Sequence, residues 1–191
     1  MLDHIITSKV RRKILALFFH DITEKYYVRQ IERKIGEEVN AVKRELDILQ
    51  EAKVLQREKR LNKVFYGLNF HFFYFDEFLR MFSKESPLSE LLMKNISRIG
   101  KVKYVAISMK FPKKLPLRED EIYALFIGVI VIPEVELLMN KARKLYDRDI
   151  NYTVMTEDEL AFRKKNNDPF IWKFLRQPKI MLVGQEEDLL A

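Results

Sequence analysis

Between Val39 and Asn69 the apolar residues change period, and that change dictates the local fold. Val39, Val42, Leu46 and Leu49 recur every three or four positions, the stripe of a helix buried along one side. The same helix turns Asn40, Ala41, Lys43, Arg44 and Asp47 to the opposite side. After it, "VLQREKR" and "VFYGLN" set β-branched and aromatic residues on either side of the polar turn "LNK", the pattern of a two-stranded hairpin. Arg57, Lys59, Arg60 and Lys63 crowd the tip of that hairpin.

Two shorter helices precede this stretch. Val10, Ile14, Leu17 and Phe18 share one face, with Ser8 or Thr7 as the cap; Val28, Ile31 and Ile35 run into Gly36, the residue that best tolerates the left-handed conformation closing a helix. Three helices followed by a basic hairpin is the order of a winged helix-turn-helix, in which the third helix enters the major groove and the wing reaches a neighbouring groove or the backbone. Charge points the same way. Of the formal net charge of +7, residues 1–69 hold +5, with 15 Lys and Arg against 10 Asp and Glu. A basic domain of this kind suits a polyanion, because neutralising phosphates releases condensed counterions. Asp47 and Glu45 weigh the other way, because carboxylates near phosphates oppose binding.

"TSKVRRKILALF", "YYVRQIERKIG", "NAVKREL" and "KVFYGLN" together resemble the winged-helix domain of arsenic-repressor-like transcriptional regulators of archaea and bacteria, over residues 1–69. The resemblance implies that Asn40, Lys43 and Arg44 lie on a recognition helix against double-stranded DNA, and that Arg60 and Lys63 belong to the wing. In one respect the chain departs from the pattern: Lys53 stands where such helices commonly close with Gly, which predicts a less tightly turned helix end.

Residues 70–100 read as a helical linker. Phe72, Phe75, Leu79 and Phe82 share a helical face, with Phe78 beside it, and this large aromatic stripe predicts a homodimer interface; packing between domains is the alternative. A second helix is expected from "SPLSELLMKNISRI" to Gly100.

Past Gly100 short β-rich runs ("KYVAIS", "YALFIGVIVI", "INYTVM", "KIMLV") alternate with helices, one opened by Pro133 and two capped by Thr156 and Asp168. The order, and the closing segment "INYTVMTEDELAFRKKNNDPFIWKFLRQPKIMLVG" in particular, resembles the minimal nucleotidyltransferase domain in versions fused to winged helices. That resemblance implies a Gly-Ser turn and metal-binding aspartates, since transfer of a nucleotidyl group needs carboxylates that hold Mg²⁺ against the triphosphate. Here Ile107-Ser108 stands in place of the Gly-Ser turn, Glu121 and Tyr123 in place of the paired aspartates, and "NYT" where a third carboxylate belongs.

The expected fold class is therefore α+β: a winged helix over 1–69, a helical linker over 70–100 and a small, degenerate nucleotidyltransferase-like α/β domain over 101–191. The expected function is a dimeric, sequence-specific DNA-binding transcriptional regulator, not an enzyme, whose last domain senses a small molecule or nucleotide or braces the dimer. Two alternatives stay open, an active nucleotidyltransferase tethered to nucleic acid and an antitoxin-like protein-interaction module. No cysteine excludes a zinc ribbon or thiol nucleophile, and His4, His20 and His71 lack metal-ligand spacing, so neither metal nor cofactor is expected. The first residues lack a signal-peptide pattern, and the longest apolar run, "ALFIGVIVIP", falls short of the roughly 20 residues that span a bilayer, which predicts a cytoplasmic protein.

Overall fold

The computed structural model describes residues 2–191, which divide into two compact units, one ending at Ser83 and the other running over Lys84–Ala191. The boundary falls inside the segment expected to be a linker. Its first half folds with the first unit and its second half with the second, so residues 70–100 form no unit of their own.

In the first unit a short α1 (Leu2–Ile5) leads to α2 (Lys9–His20), where Ser8 is the N-cap and accepts the Arg11 amide at 3.2 Å. Ile14, Leu15, Phe18 and Phe19 form the buried side of α2. A two-residue strand, β1 (Tyr26–Tyr27), precedes α3 (Val28–Ile35), which closes on Gly36 at φ +64°. Then α4 (Val39–Glu51) buries Val42, Leu46 and Leu49, and the hairpin β2 (Leu55–Arg60) and β3 (Lys63–Leu68) follows. Tyr26 and Tyr27 pair with Tyr66 and Phe65, making an antiparallel sheet in the order β1-β3-β2. This is the arrangement of a winged helix with one strand beyond the hairpin.

The end of α4 is tightly turned, contrary to expectation. Lys53 adopts φ +60°, the Lys53 amide donates to Gln50 O (2.9 Å) and the Val54 amide to Leu49 O (3.0 Å). Those two bonds make a full Schellman closure, with a lysine in the position that glycine fills at lower cost.

The aromatic segment also differs from its reading. α5 (Phe75–Ser83) starts after Phe72, and it buries Phe75, Leu79 and Phe82 within the first unit. The Phe82 ring stacks on Phe19 of α2 at 5.4 Å, with Phe75 and Phe78 at 5.9 and 5.8 Å from the same ring. Phe72 sits ahead of the helix with its ring edge on Phe78. Phe75, Leu79 and Phe82 are core of a single chain, so they present no open surface to a second one. The exposed aromatics of this segment are Phe70, Phe73 and Tyr74.

In the second unit the expected single helix before Gly100 is two, α6 (Pro87–Lys94) and α7 (Ile96–Ile99), separated at Asn95. β4 (Gly100–Ser108) and β5 (Ala124–Ile130) pair antiparallel, α8 (Ile132–Tyr146) crosses over to β6 (Tyr152–Met155) parallel to β5, and β7 (Lys179–Val183) joins the far side of β4. The sheet order is β6-β5-β4-β7. Gly128 lies opposite a bulge between Val102 and Tyr104 at φ +142°; a Cβ there would sit 2.3 Å from Lys101 O, so no side chain fits. α9 (Glu157–Lys165) and α10 (Pro169–Arg176) open on Thr156 and Asp168, whose side chains accept the Glu159 amide and the Phe170 and Ile171 amides. Their Leu160, Ile171, Phe174 and Leu175 join Tyr104, Ala106, Leu125 and Ile127 in one apolar core, closed by Leu189 of α11 (Glu186–Leu190). Continuous burial of β4 from Tyr104 to Ser108 and of β5 from Ala124 to Gly128 is what a sheet covered on both faces requires.

Candidate nucleic-acid interface

The face of α4 opposite its buried stripe carries Asn40, Lys43, Arg44 and Asp47, all exposed, with Ala41 half-buried. Among the described residues no hydrogen bond or ion pair holds the side chains of Lys43 and Arg44. Glu45, expected to oppose a polyanion, does not share this face. Its carboxylate accepts Ser8 Oγ (2.6 Å) and Arg11 Nε (2.6 Å), which ties the start of α2 to the middle of α4. Glu37 in the turn before α4 is likewise held by Lys13 (2.6 Å) and Lys9 (3.0 Å), which keep its carboxyl below the ordinary range. Glu38 caps α4 by accepting the Asn40 and Ala41 amides at 3.0 Å each; those amides first, and the nearby Arg44 and Lys43 charges after them, lower its pKa. Asn40 and Ala41 therefore offer a ligand no unbonded backbone N–H while Glu38 stays in place.

Strand alternation divides the four basic residues of the hairpin between its two faces. Arg57 pairs across the ladder with Tyr66 and Lys59 with Val64, whereas Glu58 pairs with Phe65 and Arg60 with Lys63. The first face borders α4: the Tyr66 hydroxyl, whose pKa is raised chiefly by burial, also senses the Asp47 carboxylate and the opposing Arg57 guanidinium. On this face Arg57 and Lys59 are exposed, and no hydrogen bond or ion pair among the described residues engages them.

The other face is internally matched. Arg60 donates to both oxygens of Glu58 (2.7 and 3.0 Å), and Lys25, from the loop before β1, donates to the same carboxylate at 2.7 Å. Arg60 and then Lys25 pull the Glu58 pKa down to about 2, and Glu58 in turn raises that of Arg60. The Lys63 ammonium lies 4.5 Å from the centre of the Tyr27 ring, and Tyr27 meets Phe65 edge-on at 5.7 Å. Sequence reasoning missed Lys25, Tyr27 and Glu58. Period two applied along "LQREKR" would have placed Glu58 beside Arg60; the contributions of Lys25 and Tyr27 depend on β1, which is too short to announce itself.

The sites implied by the nucleotidyltransferase resemblance lie at one corner of the second unit. Ser108 is fully buried, with Oγ 3.2 Å from Gln177 Oε1 and its amide donating to Tyr123 O at 2.7 Å. Glu121 has a side chain 7% exposed and accepts Lys110 Nζ (2.6 Å) and the Arg118 amide (2.9 Å) on one oxygen, with Lys173 3.8 Å from the other. The Arg118 amide and then Lys110 lower its pKa. Asp120 is bonded to Lys173 at 2.6 Å. Lysines thus pair with both Glu121 and its neighbour Asp120. Among the described residues no three His, Asp or Glu side chains gather as a metal site, and no helix is long and apolar enough to cross a membrane.

No protein family matches the sequence, and no curated protein matches it. Among solved structures, reduced HlyU from Vibrio cholerae N16961 is similar over 49% of this chain and 82% of its own length, at 19% identity and a TM-score of 0.33. So slight an overlap carries no functional weight, which rests instead on the helices, the hairpin and the state of their cations.

Proposed function

We propose that this protein is a DNA-binding transcriptional regulator that reads duplex DNA with α4 and the adjoining face of the β2–β3 hairpin. The observation that carries this reading is the state of four cations. Lys43 and Arg44 on α4 and Arg57 and Lys59 on the bordering hairpin face are exposed and without a bonded partner: Glu37 and Glu45 are held by other cations and Glu38 by the amides it caps, and Asp47 is the carboxylate that shares their face. A surface of unneutralised cations on a helix that fits a major groove recruits phosphates and sets the helix against base edges. Arg60 and Lys63 join in only when DNA competes successfully with Glu58 and the Tyr27 ring.

A second copy of the chain completes the reading, because two-fold symmetry lets two α4 helices meet successive major-groove faces of a palindromic operator. Its contact surface would draw on Phe70, Phe73 and Tyr74, since Phe75, Leu79 and Phe82 are buried within one chain. The second unit acts in this account as a catalytically inactive nucleotidyltransferase-like domain that braces or senses; lysine pairing of Glu121 and Asp120 supports the inactive reading. Mg²⁺-dependent incorporation of a labelled nucleotide into any partner would overturn that part.

The test of the whole is fluorescence anisotropy of a duplex from immediately upstream of this protein's own gene beside a scrambled duplex, each at two salt concentrations. Tighter, salt-sensitive binding to the native duplex is expected. Absence of binding to both at low salt would contradict the reading and favour a protein partner.

A further inference from the structure

The hairpin closes with a two-residue loop, Leu61-Asn62, between the paired Arg60 and Lys63. Such a loop requires a positive φ at its first residue, where glycine, asparagine or aspartate belongs. Leu61 occupies that position at φ +49°. Asn62, which suits it better, comes one place late. The leucine is also 95% exposed, the highest value of any large apolar side chain among the described residues. Neither local conformation nor core packing accounts for Leu61, and a bulky residue held in the left-handed region is a recognised mark of a functional position.

Its neighbours indicate what it meets. Lys59, Arg60 and Lys63 surround it at the far end of the wing from the buried Leu55 and Leu68. On a duplex, Lys59 takes a phosphate beside the tip, Arg60 and Lys63 do so only once DNA displaces Glu58 and the Tyr27 ring, and the apolar side chain between them faces the base edges. We propose that Leu61 is a wedge that enters the minor groove and partly unstacks one base step, favouring the pyrimidine–purine steps that kink at least cost. This makes the wing tip a determinant of sequence preference. The inference rests on the DNA-binding reading above.

The experiment uses the full chain and a set of duplexes from upstream of its gene, each with 2-aminopurine at a different position, read for anisotropy and for the rise in fluorescence that unstacking causes. The unaltered protein is expected to raise the signal at one or two adjacent positions. L61N relieves the backbone and folds at least as well; it is expected to abolish that rise and weaken binding roughly tenfold, the loss of one buried apolar side chain, with the salt slope unchanged because no charge is removed. L61M keeps the apolar body and is expected to keep the rise. Unaltered protein that binds without any rise, L61N that binds and unstacks as the unaltered protein does, or L61N whose loss comes with a shallower salt slope would each overturn the wedge while leaving DNA binding intact. Unaltered protein that binds none of the duplexes would overturn the DNA reading, and the wedge with it.

Discussion

The corner around Glu121 and the exposed face of α4 are both rich in basic residues, and they use them in opposite ways. In the second unit Lys110 and Lys173 are bonded to Glu121 and Asp120, and Lys179, almost wholly buried, to Glu186 and Leu175 O. On α4 and the face of the hairpin beside it, Lys43, Arg44, Arg57 and Lys59 have no such partner. The count of Lys and Arg is a poor guide to binding; what matters is whether an acidic side chain has already neutralised them. The hairpin repeats the lesson at shorter range, because Arg57 and Arg60 are three residues apart yet lie on an unmatched and a matched face.

The largest effect that bears on this comparison concerns the aromatic segment that supports the first unit. Phe82→Ala removes a fully buried ring stacked on Phe19 and should destabilise that unit by about 3–5 kcal/mol in denaturant titration. Phe73→Ala, at an 84% exposed position, should change stability by less than about 0.5 kcal/mol while weakening self-association by sedimentation. The reverse pattern would restore the buried stripe as the subunit interface. Next is Glu121→Ala, which leaves Lys110 and the Arg118 amide without their acceptor; a loss of about 1–3 kcal/mol is expected, with DNA affinity unchanged. A fall in DNA affinity at full stability would mean that the two regions do not differ as described.

Lys53→Gly tests the hinge between helix and wing. The Schellman closure holds this lysine at φ +60°, so glycine should stabilise the first unit by about 1 kcal/mol, seen as a higher denaturation midpoint. Acid is the mildest probe. Glu58 has a folded-state pKa of about 2 against an ordinary 4.5, so its pairing with Arg60 and Lys25 is intact above about pH 4.5 and is lost as pH falls toward 2. Glu58→Gln should flatten that part of the pH–stability curve; an unaltered curve would show that the matched face contributes nothing.

Much of this was legible beforehand. The stripes of α3 and α4 follow from spacing, whereas α2 buries Leu15 and Phe19 with Ile14 and Phe18 and leaves the expected Val10 and Leu17 half-buried; Ser8, Gly36, Thr156 and Asp168 cap where short polar side chains or a missing Cβ lead one to expect it. What escaped was decided by tertiary neighbours. The face that Phe75, Leu79 and Phe82 share is plain from sequence, but its partner, Phe19, is 56 residues before Phe75 and nothing local announces it. Glu45 reads as an exposed carboxylate until Ser8 and Arg11 are seen beside it. Lys53 reads as a looser ending because propensity disfavours lysine at positive φ, and the two closing hydrogen bonds override that preference. For the candidate interface the exposed residues of α4 were legible from the helical period, while the division of the wing cations needed the ladder register.

The central claim is that unmatched cations, not basic residues as such, carry DNA binding, and Arg57 and Arg60 test it most directly because one strand carries both. The measurement is the salt dependence of anisotropy for the upstream duplex with Arg57→Ala and with Arg60→Ala. The account predicts that Arg57→Ala lowers affinity and reduces the slope by about 0.9 of a unit, while Arg60→Ala changes both far less until Glu58→Gln releases it. Equal losses from the two substitutions, or a larger loss from Arg60→Ala, would contradict it.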